Sequence, residues 1–220
     1  MVKAFIFDMD GVLVNSEKIK ADTWKVVLVK YGVLNGDEWY EKKIGTPGKV
    51  LAQKAIEEFS LPIGFEELFH EKHAAYLERL KQSSVPIEST INFLKSIPKE
   101  KFKIAINSSM NRSAIESQMT FLGLYELFDA VTSGLDEVEK DKPHPDIYLL
   151  SAKKLNTPFE ECIVIEDSSL GVESTKRAGM KCIGFISPCS GNQDLSKADL
   201  VINNLNIIHF ERLISFLNTL

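Results

Sequence analysis

The sequence predicts an α/β fold, with a doubly wound parallel sheet as its core and an α-helical cap domain inserted into that core. Two observations predict this fold class. Short apolar runs alternate with helix-like stretches along most of the 220 residues, a rhythm typical of parallel strands joined by crossover helices. One segment, from about residue 16 to residue 82, departs from the rhythm and contains helical patterns only.

Six apolar runs are the predicted strands. In chain order they read VKAFIFD, KFKIAIN, FDAVTS, CIVIED, MKCIGFI and ADLVI. The helical patterns of the same region lie near residues 88–96, 111–121, 145–155, 168–178 and 206–217. Because successive parallel strands need a crossover between them, we expect helices on both faces of the sheet, as in a Rossmann-like core.

The segment without strand patterns is interpreted as a small helical bundle. Its predicted helices cover residues 16–31, 37–43, 48–59 and 64–81. The predicted domains are therefore a catalytic core of residues 1–14 and 84–220 and a cap of residues 15–83. Ligands bind such cores beyond the carboxyl ends of the strands. The insertion leaves the core from that end, so the cap is expected to lie over the site.

Composition narrows the classes of function. Hydrophobic residues make up 44% and charged residues 26% of the chain, and the formal net charge is −5. This mild acidity gives no support to nucleic-acid binding, which favours clustered basic residues. We expect no membrane segment and no targeting leader, since neither pattern occurs in the sequence. The cysteine count is odd and no CxxC motif occurs, and Cys162 and Cys182 adjoin apolar runs, which favours buried, inert thiols at these two positions. A reducing, cytoplasmic location is therefore expected. The chain is also predicted to be a monomer.

Acidic residues directly follow two of the predicted strands. Asp8 and Asp10 lie two positions apart after the first apolar run, so their carboxylates can face the same way, and Gly11 allows a sharp turn there. Glu166 and Asp167 end the run CIVIED. Since parallel strands end at one edge of a sheet, we expect the four carboxylates to lie together. Their mutual repulsion favours a bound cation, and oxygen ligands suit Mg²⁺.

Simpler interpretations of these residues stay open at this stage. The DMDG stretch could be a polar turn only, and Asp167 or Ser168 could cap the helix that follows, a role compatible with metal binding. Ser108, which follows KFKIAIN, can offer a hydroxyl and helix N-terminal amides to a phosphate, although such a serine is more often a cap. Lys142, in DKPHPD, would be interpreted as a solvated surface residue if it were considered alone. Beside four carboxylates and a phosphate, its positive charge would hold these anionic groups in place.

Taken together, DMDG, INSS, KPHPD and IEDSS occur in the order and at the strand ends that resemble the haloacid dehalogenase superfamily. The resemblance covers nearly the whole chain and is nearer to the β-phosphoglucomutase-like and phosphoglycolate phosphatase-like branch. It implies that Asp8 is a nucleophile forming an aspartyl-phosphate and that Asp10 is the general acid and base. It also implies that Ser108, Ser109 and Lys142 bind the phosphate group.

The same resemblance implies a magnesium ion as cofactor. Its ligands would be Asp8, the main-chain carbonyl of Asp10 and Asp167, with Glu166 close by. The predicted activity is hydrolysis of small phosphorylated metabolites, sugar phosphates above all. A dehalogenase or a phosphonatase of this superfamily would lack the acid at Asp10. A non-catalytic binding protein on the same fold is a further alternative, and loss of these acidic residues or of Lys142 would have indicated it.

The main alternative to a phosphatase is a hexose-phosphate mutase. The mutase branch carries a histidine four residues after the position matching Ser16, and this sequence has Lys20 there. The missing histidine favours the phosphatase. The predicted substrate-contacting residues of the cap are Gly45, Thr46 and Lys49, and a basic residue soon after a glycine is also found in mutases. Because of Lys49, the mutase remains an alternative to the phosphatase.

Overall fold

The computed structural model describes residues 1–44, 46, 48–80, 85–207 and 210–219. The chain divides into two compact units, one formed by Met1–Asn15 with Val85–Leu220 and the other by Ser16–Ser84. The strands all belong to the first unit, and the described part of the second unit is built of helices and their connections. An α/β core with an inserted helical unit is the fold class predicted from the sequence, and that prediction is confirmed.

A six-stranded sheet, parallel throughout, organises the first unit. The strands of this unit are β1 (Ala4–Asp8), β2 (Val14–Asn15), β3 (Val85–Pro86), β4 (Lys103–Ser108), β5 (Ala130–Ser133), β6 (Cys162–Glu166), β7 (Lys181–Phe185) and β8 (Leu200–Ile202). The order across the sheet is β5-β4-β1-β6-β7-β8. Because β4, β1 and β6 are neighbours, the polar residues that follow these three strands meet at one edge.

Two very short strands form a second sheet that the sequence did not predict. β2 pairs antiparallel with β3, with Val14 opposite Pro86 and Asn15 opposite Val85. Strands of two residues carry no periodicity, so no pattern in the sequence could indicate them.

Ten α-helices occur among the described residues. They are α1 (Glu17–Val29), α2 (Gly36–Glu41), α3 (Gly48–Phe59), α4 (Phe65–Leu80), α5 (Glu88–Ser96), α6 (Arg112–Phe121), α7 (Gly134–Glu137), α8 (Asp146–Lys154), α9 (Ser169–Arg177) and α10 (Phe210–Leu217). Three differences from the prediction, each of two residues or more, concern helix ends, and one of them is that α2 ends at Glu41, before the predicted residue 43. α1 ends two residues early, just before Gly32 takes a φ of +84°, and α10 begins at Phe210, after a 3₁₀ turn over Leu205–Ile207. The one-turn helix α7 was not predicted.

Both faces of the large sheet are covered, as expected for a doubly wound core. Side chains alternate along β1, so Ala4 and Ile6 pack with Tyr148 of α8 in one buried cluster. Phe5 and Phe7 project to the other face, where their rings lie 5.9 and 6.4 Å from the ring of Phe93 in α5. Burial on both faces explains why the strand reads as a continuous apolar run.

The helical unit has an apolar core of its own. Trp24 of α1 is fully buried and its ring lies 5.3 Å from that of Trp39 in α2, in an edge-to-face arrangement. Val27 and Leu28 join the same cluster, and Tyr31 packs against it. Among the described residues, no helix is both long and apolar enough to cross a membrane.

A charged cluster ties β5 to the helices beside it. Both carboxylate oxygens of Glu137 lie 2.9 Å from Nη2 of Arg112 and 2.7 Å from Nζ of Lys154. The backbone N–H of Ser133 donates to the same carboxylate. Partial burial works against the charged form, but these donors outweigh it and lower the pKa of Glu137 from its ordinary 4.5 to about 2.

We expect Glu137→Gln to lower the unfolding free energy by about 1–2 kcal/mol at neutral pH, since partly exposed ion pairs are screened by water. The folded-state pKa is depressed, so this contribution is present above about pH 4.5 and is lost as the pH falls towards 2. Urea unfolding at several pH values should show the two proteins converging in acid. The exposed Glu100→Gln is the control, and a difference that stays constant with pH would contradict the assignment.

Candidate active site

A buried lysine joins the ends of two neighbouring strands. β1 ends at Asp8 and β6 at Glu166, and the register of the two strands sets these residues side by side. Nζ of Lys142 lies 2.5 Å from Oδ1 of Asp8 and 2.7 Å from Oε1 of Glu166. The three side chains are at most 9% exposed. One ammonium group therefore bridges two carboxylates at the carboxyl edge of the sheet.

Both oxygens of Glu166 are occupied by protein donors. Oε1 accepts from Lys142 and, at 2.9 Å, from the hydroxyl of Tyr148. Oε2 accepts from the backbone N–H and the hydroxyl of Ser168, at 2.7 and 2.9 Å. Nζ of Lys142 also lies 5.1 Å from the centre of the Tyr148 ring. Glu166 thus serves as an anchor that fixes the position of the lysine.

The electrostatics of this group favour a charged Lys142. Burial alone would lower the pKa of the ammonium, but the attraction of Asp8 and Glu166 is larger and raises it well above its ordinary value. The pKa of Asp8 is raised as well, although an ion pair by itself lowers the pKa of a carboxyl group. Burial, reinforced by the nearby charges of Glu166 and Asp10, raises the pKa of Asp8 from 3.8 to about 8 in spite of Lys142. The site has more carboxylate than ammonium charge.

Asp10, Ser108 at the end of β4 and Ser109 directly after it lie on the same edge. Oγ of Ser108 donates to Oδ2 of Asp10 at 3.2 Å and accepts from the backbone N–H of Met110. Oγ of Ser109 donates to Oδ1 of Asp141 at 2.9 Å, and the backbone N–H of Lys142 donates to the same oxygen. Ser108 is buried whereas Ser109 is exposed. Asp141 therefore connects the loop after β4 to the loop that carries Lys142.

Asp167 lies beside a glycine that could not be replaced without a clash. Its Oδ2 accepts a hydrogen bond from the hydroxyl of Ser190. Gly11 has a φ of +83°, and a Cβ added there would come within 1.9 Å of Asp167 Oδ2 and 2.4 Å of Ser190 Oγ. Burial, followed by repulsion from Glu166 and Asp8, raises the pKa of Asp167 well above its ordinary value.

We expect Gly11→Ala to lower the unfolding free energy by roughly 3 kcal/mol or more, because the new methyl group adds overpacking to a left-handed backbone conformation. Gly123→Ala is the matched control. Its φ is +67°, and no described heavy atom lies within 4 Å of an added Cβ, so we expect a loss of about 1 kcal/mol. Denaturant unfolding of both variants measures the difference. Equal losses would mean that Gly11 is needed for its backbone conformation alone.

The donor set fits a hard divalent cation. Asp8, Glu166 and Asp167 are buried, Lys142 pairs with the first two of them, and every candidate ligand is an oxygen. Within the described residues, no group of three or more His, Cys, Asp or Glu side chains is arranged to hold a metal ion. The predicted magnesium site requires fewer side chains, because it combines two carboxylates with the main-chain carbonyl of Asp10. Burial first, and then repulsion from neighbouring carboxylates, raises the pKa of Asp8 and of Asp167, and a bound cation would counter the repulsion.

The structure brings the predicted residues of the core together at one sheet edge. The prediction also included three residues of the helical unit. Thr46 is half-buried in the turn before α3, and its backbone N–H donates to the carbonyl of Lys43. Lys49 is exposed in the first turn of α3. Gly45 lies outside the described residues. The part of these three residues in substrate binding stays a prediction.

Sequence reasoning missed several polar residues around the site. Tyr148 anchors Glu166 from the buried face of α8, and Ser190 reaches Asp167 from 23 residues further along the chain. Asn107 is buried directly beside Asp8 in the sheet. Tyr148 falls at an apolar position of a helix, where it resembles a core residue. The available signal was its residue type, because the hydroxyl of a buried tyrosine usually has a hydrogen-bond partner.

Known proteins resemble this chain in sequence and in fold. The family described as haloacid dehalogenase-like hydrolase matches residues 5–185. The phosphorylated carbohydrates phosphatase of Thermotoga maritima is 31% identical over 91% of this chain and 93% of its own length.

Among solved structures, β-phosphoglucomutase from Clostridium difficile superposes with a TM-score of 0.78 at 27% identity, covering 100% of this chain and 98% of that one. A haloacid dehalogenase family hydrolase from Deinococcus radiodurans, solved with bound phosphate and sodium, gives a TM-score of 0.75 at 26% identity over 98% and 97% of the two chains.

The family match covers most of the chain, including both acidic clusters and the lysine between them. The resemblance predicted from the four motifs is therefore confirmed. The chain is an enzyme of the hydrolase class, and it belongs to the haloacid dehalogenase-like hydrolase family.

Proposed function

We propose that the protein is a magnesium-dependent phosphatase that hydrolyses small phosphorylated metabolites, sugar phosphates above all, through an aspartyl-phosphate on Asp8. The observation that carries the proposal is the buried bridge from Lys142 to Asp8 and Glu166. It supplies a nucleophilic carboxylate next to a fixed positive charge, which is the arrangement needed to receive an anionic phosphoryl group.

In the first step, a carboxylate oxygen of Asp8 attacks phosphorus and the bond between phosphorus and the ester oxygen breaks. The departing oxygen takes a proton from Asp10, which acts as general acid. In the second step, Asp10 accepts a proton from a water molecule, and the resulting nucleophile attacks phosphorus. Inorganic phosphate leaves and the Asp8 carboxylate is restored. Asp10 suits both steps because it is only half-buried and lies two residues from Asp8.

Three residues are assigned to the phosphate group. Ser108 offers its hydroxyl from the end of β4, and this hydroxyl already donates to Asp10. It would therefore lie next to both the phosphate group and the proton donor Asp10. Ser109 lies next to it, exposed and linked to Asp141. Lys142 would neutralise charge on the transferring group while it keeps its contact with Asp8.

The proposed magnesium ligands are Asp8, the main-chain carbonyl of Asp10 and Asp167, with Glu166 adjacent. When bound, the ion would neutralise negative charge shared by the phosphoryl group and the carboxylates. Glu166 is assigned to Lys142 rather than to direct ligation, because its two oxygens already accept four hydrogen bonds.

We assign residues 15–83 as the substrate-selecting cap, with Gly45, Thr46 and Lys49 as contacts. Lys20 favours a phosphatase over the hexose-phosphate mutase. Its Nζ lies 2.7 Å from Oε1 of Glu17, whose other oxygen accepts from the hydroxyl of Tyr40. The proton-switching role belongs to a histidine, whose ordinary pKa lies near neutral pH, and a lysine side chain does not supply such a group.

The test is a panel of phosphorylated small metabolites incubated with the protein and Mg²⁺, with inorganic phosphate as the readout. We expect release from at least one sugar phosphate, a fall on the order of 100-fold after EDTA treatment, and recovery on adding Mg²⁺. Phosphate release that is unaffected by EDTA would contradict the metal assignment, and no release from any ester would contradict the phosphatase.

A second assay separates the two candidate activities. The protein is supplied with β-glucose 1-phosphate and a trace of glucose 1,6-bisphosphate, and both glucose 6-phosphate and inorganic phosphate are followed. We expect phosphate without rapid isomer formation. Isomer formation much faster than phosphate release would favour the mutase instead.

A further inference from the structure

A row of polar residues crosses the sheet at the level of Asp8. In the register of the parallel strands, Thr132 of β5 pairs with Asn107 of β4, and Asn107 pairs with Asp8 of β1. Ala105, two residues before Asn107, packs in the same cluster as Ile6, two residues before Asp8. Because side chains alternate along a strand, Asn107 and Asp8 project to the same face of the sheet, the face that α8 covers.

The amide group of Asn107 has no partner among the described residues. The side chain is fully buried, and neither Oδ1 nor Nδ2 makes a hydrogen bond. Buried polar groups are almost always paired, so an unpaired amide at the centre of a sheet requires an explanation. Its neighbour Thr132 does have a partner, since Oγ of Ser151 in α8 lies 3.0 Å from its Oγ1.

The neighbours of Asn107 determine which way its amide would bond. Adjacent parallel strands lie about 4.8 Å apart, so side chains at the same register can reach each other by rotating about their own bonds. The ionised form of Asp8, which is the form that attacks phosphorus, accepts hydrogen bonds only, whereas the hydroxyl of Thr132 can donate. The favourable orientation therefore points Nδ2 towards Asp8 and Oδ1 towards Thr132.

We propose that Asn107 is a positioning residue for the nucleophile, and that its Nδ2 donates to a carboxyl oxygen of Asp8 in the reacting enzyme. This inference rests on the proposed function, since it gives Asp8 the role of nucleophile. Lys142 holds Oδ1 of Asp8, and a carboxylate held at one oxygen can still turn about the bond from Cβ to Cγ. A second donor from the neighbouring strand fixes the plane of the group and thus the direction of attack on phosphorus.

The test compares Asn107→Ala and Asn107→Asp with the wild type in steady-state kinetics and thermal unfolding. Removing an unsatisfied amide should leave the melting temperature of Asn107→Ala unchanged or raise it by about 2–4 °C. The same change should lower kcat roughly tenfold or more with KM within about threefold, because the loss concerns orientation and not binding. Asn107→Asp keeps the shape but cannot donate when ionised, so it should lose kcat at least as strongly.

Thr90→Val is the matched control. Thr90 is also fully buried with an unpartnered hydroxyl, but it lies in α5. This change should preserve or raise the melting temperature without altering kcat. A kcat that stays normal in Asn107→Ala, or full turnover in Asn107→Asp, would overturn the positioning role. So would a kcat loss accompanied by a melting temperature more than about 5 °C lower, since that pattern marks a structural residue. A wild-type protein that releases no phosphate would instead refute the proposed function.

Discussion

Asp8→Asn is expected to abolish phosphate release, by on the order of 10⁴-fold or more, while the protein stays folded. An amide oxygen is a poor nucleophile and cannot form the aspartyl-phosphate. The substitution removes one of three buried carboxylates, Asp8, Glu166 and Asp167, and leaves Lys142 paired with Glu166. We therefore expect the unfolding free energy to be equal to that of the wild type or higher.

Two measurements check this result. Phosphate release reports turnover, and denaturant unfolding reports stability under the same buffer conditions. Asp129→Asn is a suitable control, because Asp129 is exposed, precedes β5 at the end of the sheet away from the site, and accepts a hydrogen bond from the N–H of Ile104. If Asp8→Asn released phosphate at a near-normal rate, the nucleophile would have been assigned to the wrong residue.

Lys142→Met is expected to lose both turnover and stability. The methionine fills a similar volume but leaves Asp8 and Glu166 buried without their shared ammonium group. Removing one partner of a buried ion pair typically costs about 3–5 kcal/mol. Turnover should fall as well, because the positive charge next to the transferring phosphoryl group is lost.

The double variant Asp8→Asn with Lys142→Met tests the cause of that instability. If uncompensated charge is responsible, removing the Asp8 charge should restore part of the unfolding free energy, and the two effects should not add. Strictly additive effects of the two changes on the unfolding free energy would show instead that Lys142 contributes through packing, for example against the ring of Tyr148.

The sequence predicted those parts of the fold and site that depend on local patterns. The six strands of the large sheet read as apolar runs because most are buried on both faces. The acidic residues follow two of these runs directly, so topology alone was enough to bring Asp8 and Glu166 together. The cysteines at 162 and 182 are free and buried, as predicted.

Contacts between distant segments could not be predicted in the same way. Lys142 and Asp8 are separated by 134 positions, and the bond could be inferred only through the family resemblance. Neither the anchoring of Glu166 by Tyr148 nor the approach of Ser190 to Asp167 has a local signal. In the sequence, Asn107 is the last residue of the apolar run KFKIAIN. A single polar residue at a strand end does not reveal whether its amide has a hydrogen-bond partner.

The pairing of β2 with β3 means that residues on either side of the helical unit are held next to each other. Asn15 and Val85, which flank the insertion of residues 16–84, lie opposite each other in an antiparallel pair. If a short turn joined the chain at this point, the entropic cost of closing the loop would be small. The helical unit can therefore be regarded as an insertion that is replaceable as a whole. Evolution, or an experimenter, could lengthen, shorten or replace it without shifting the register that holds Asp8 beside Glu166.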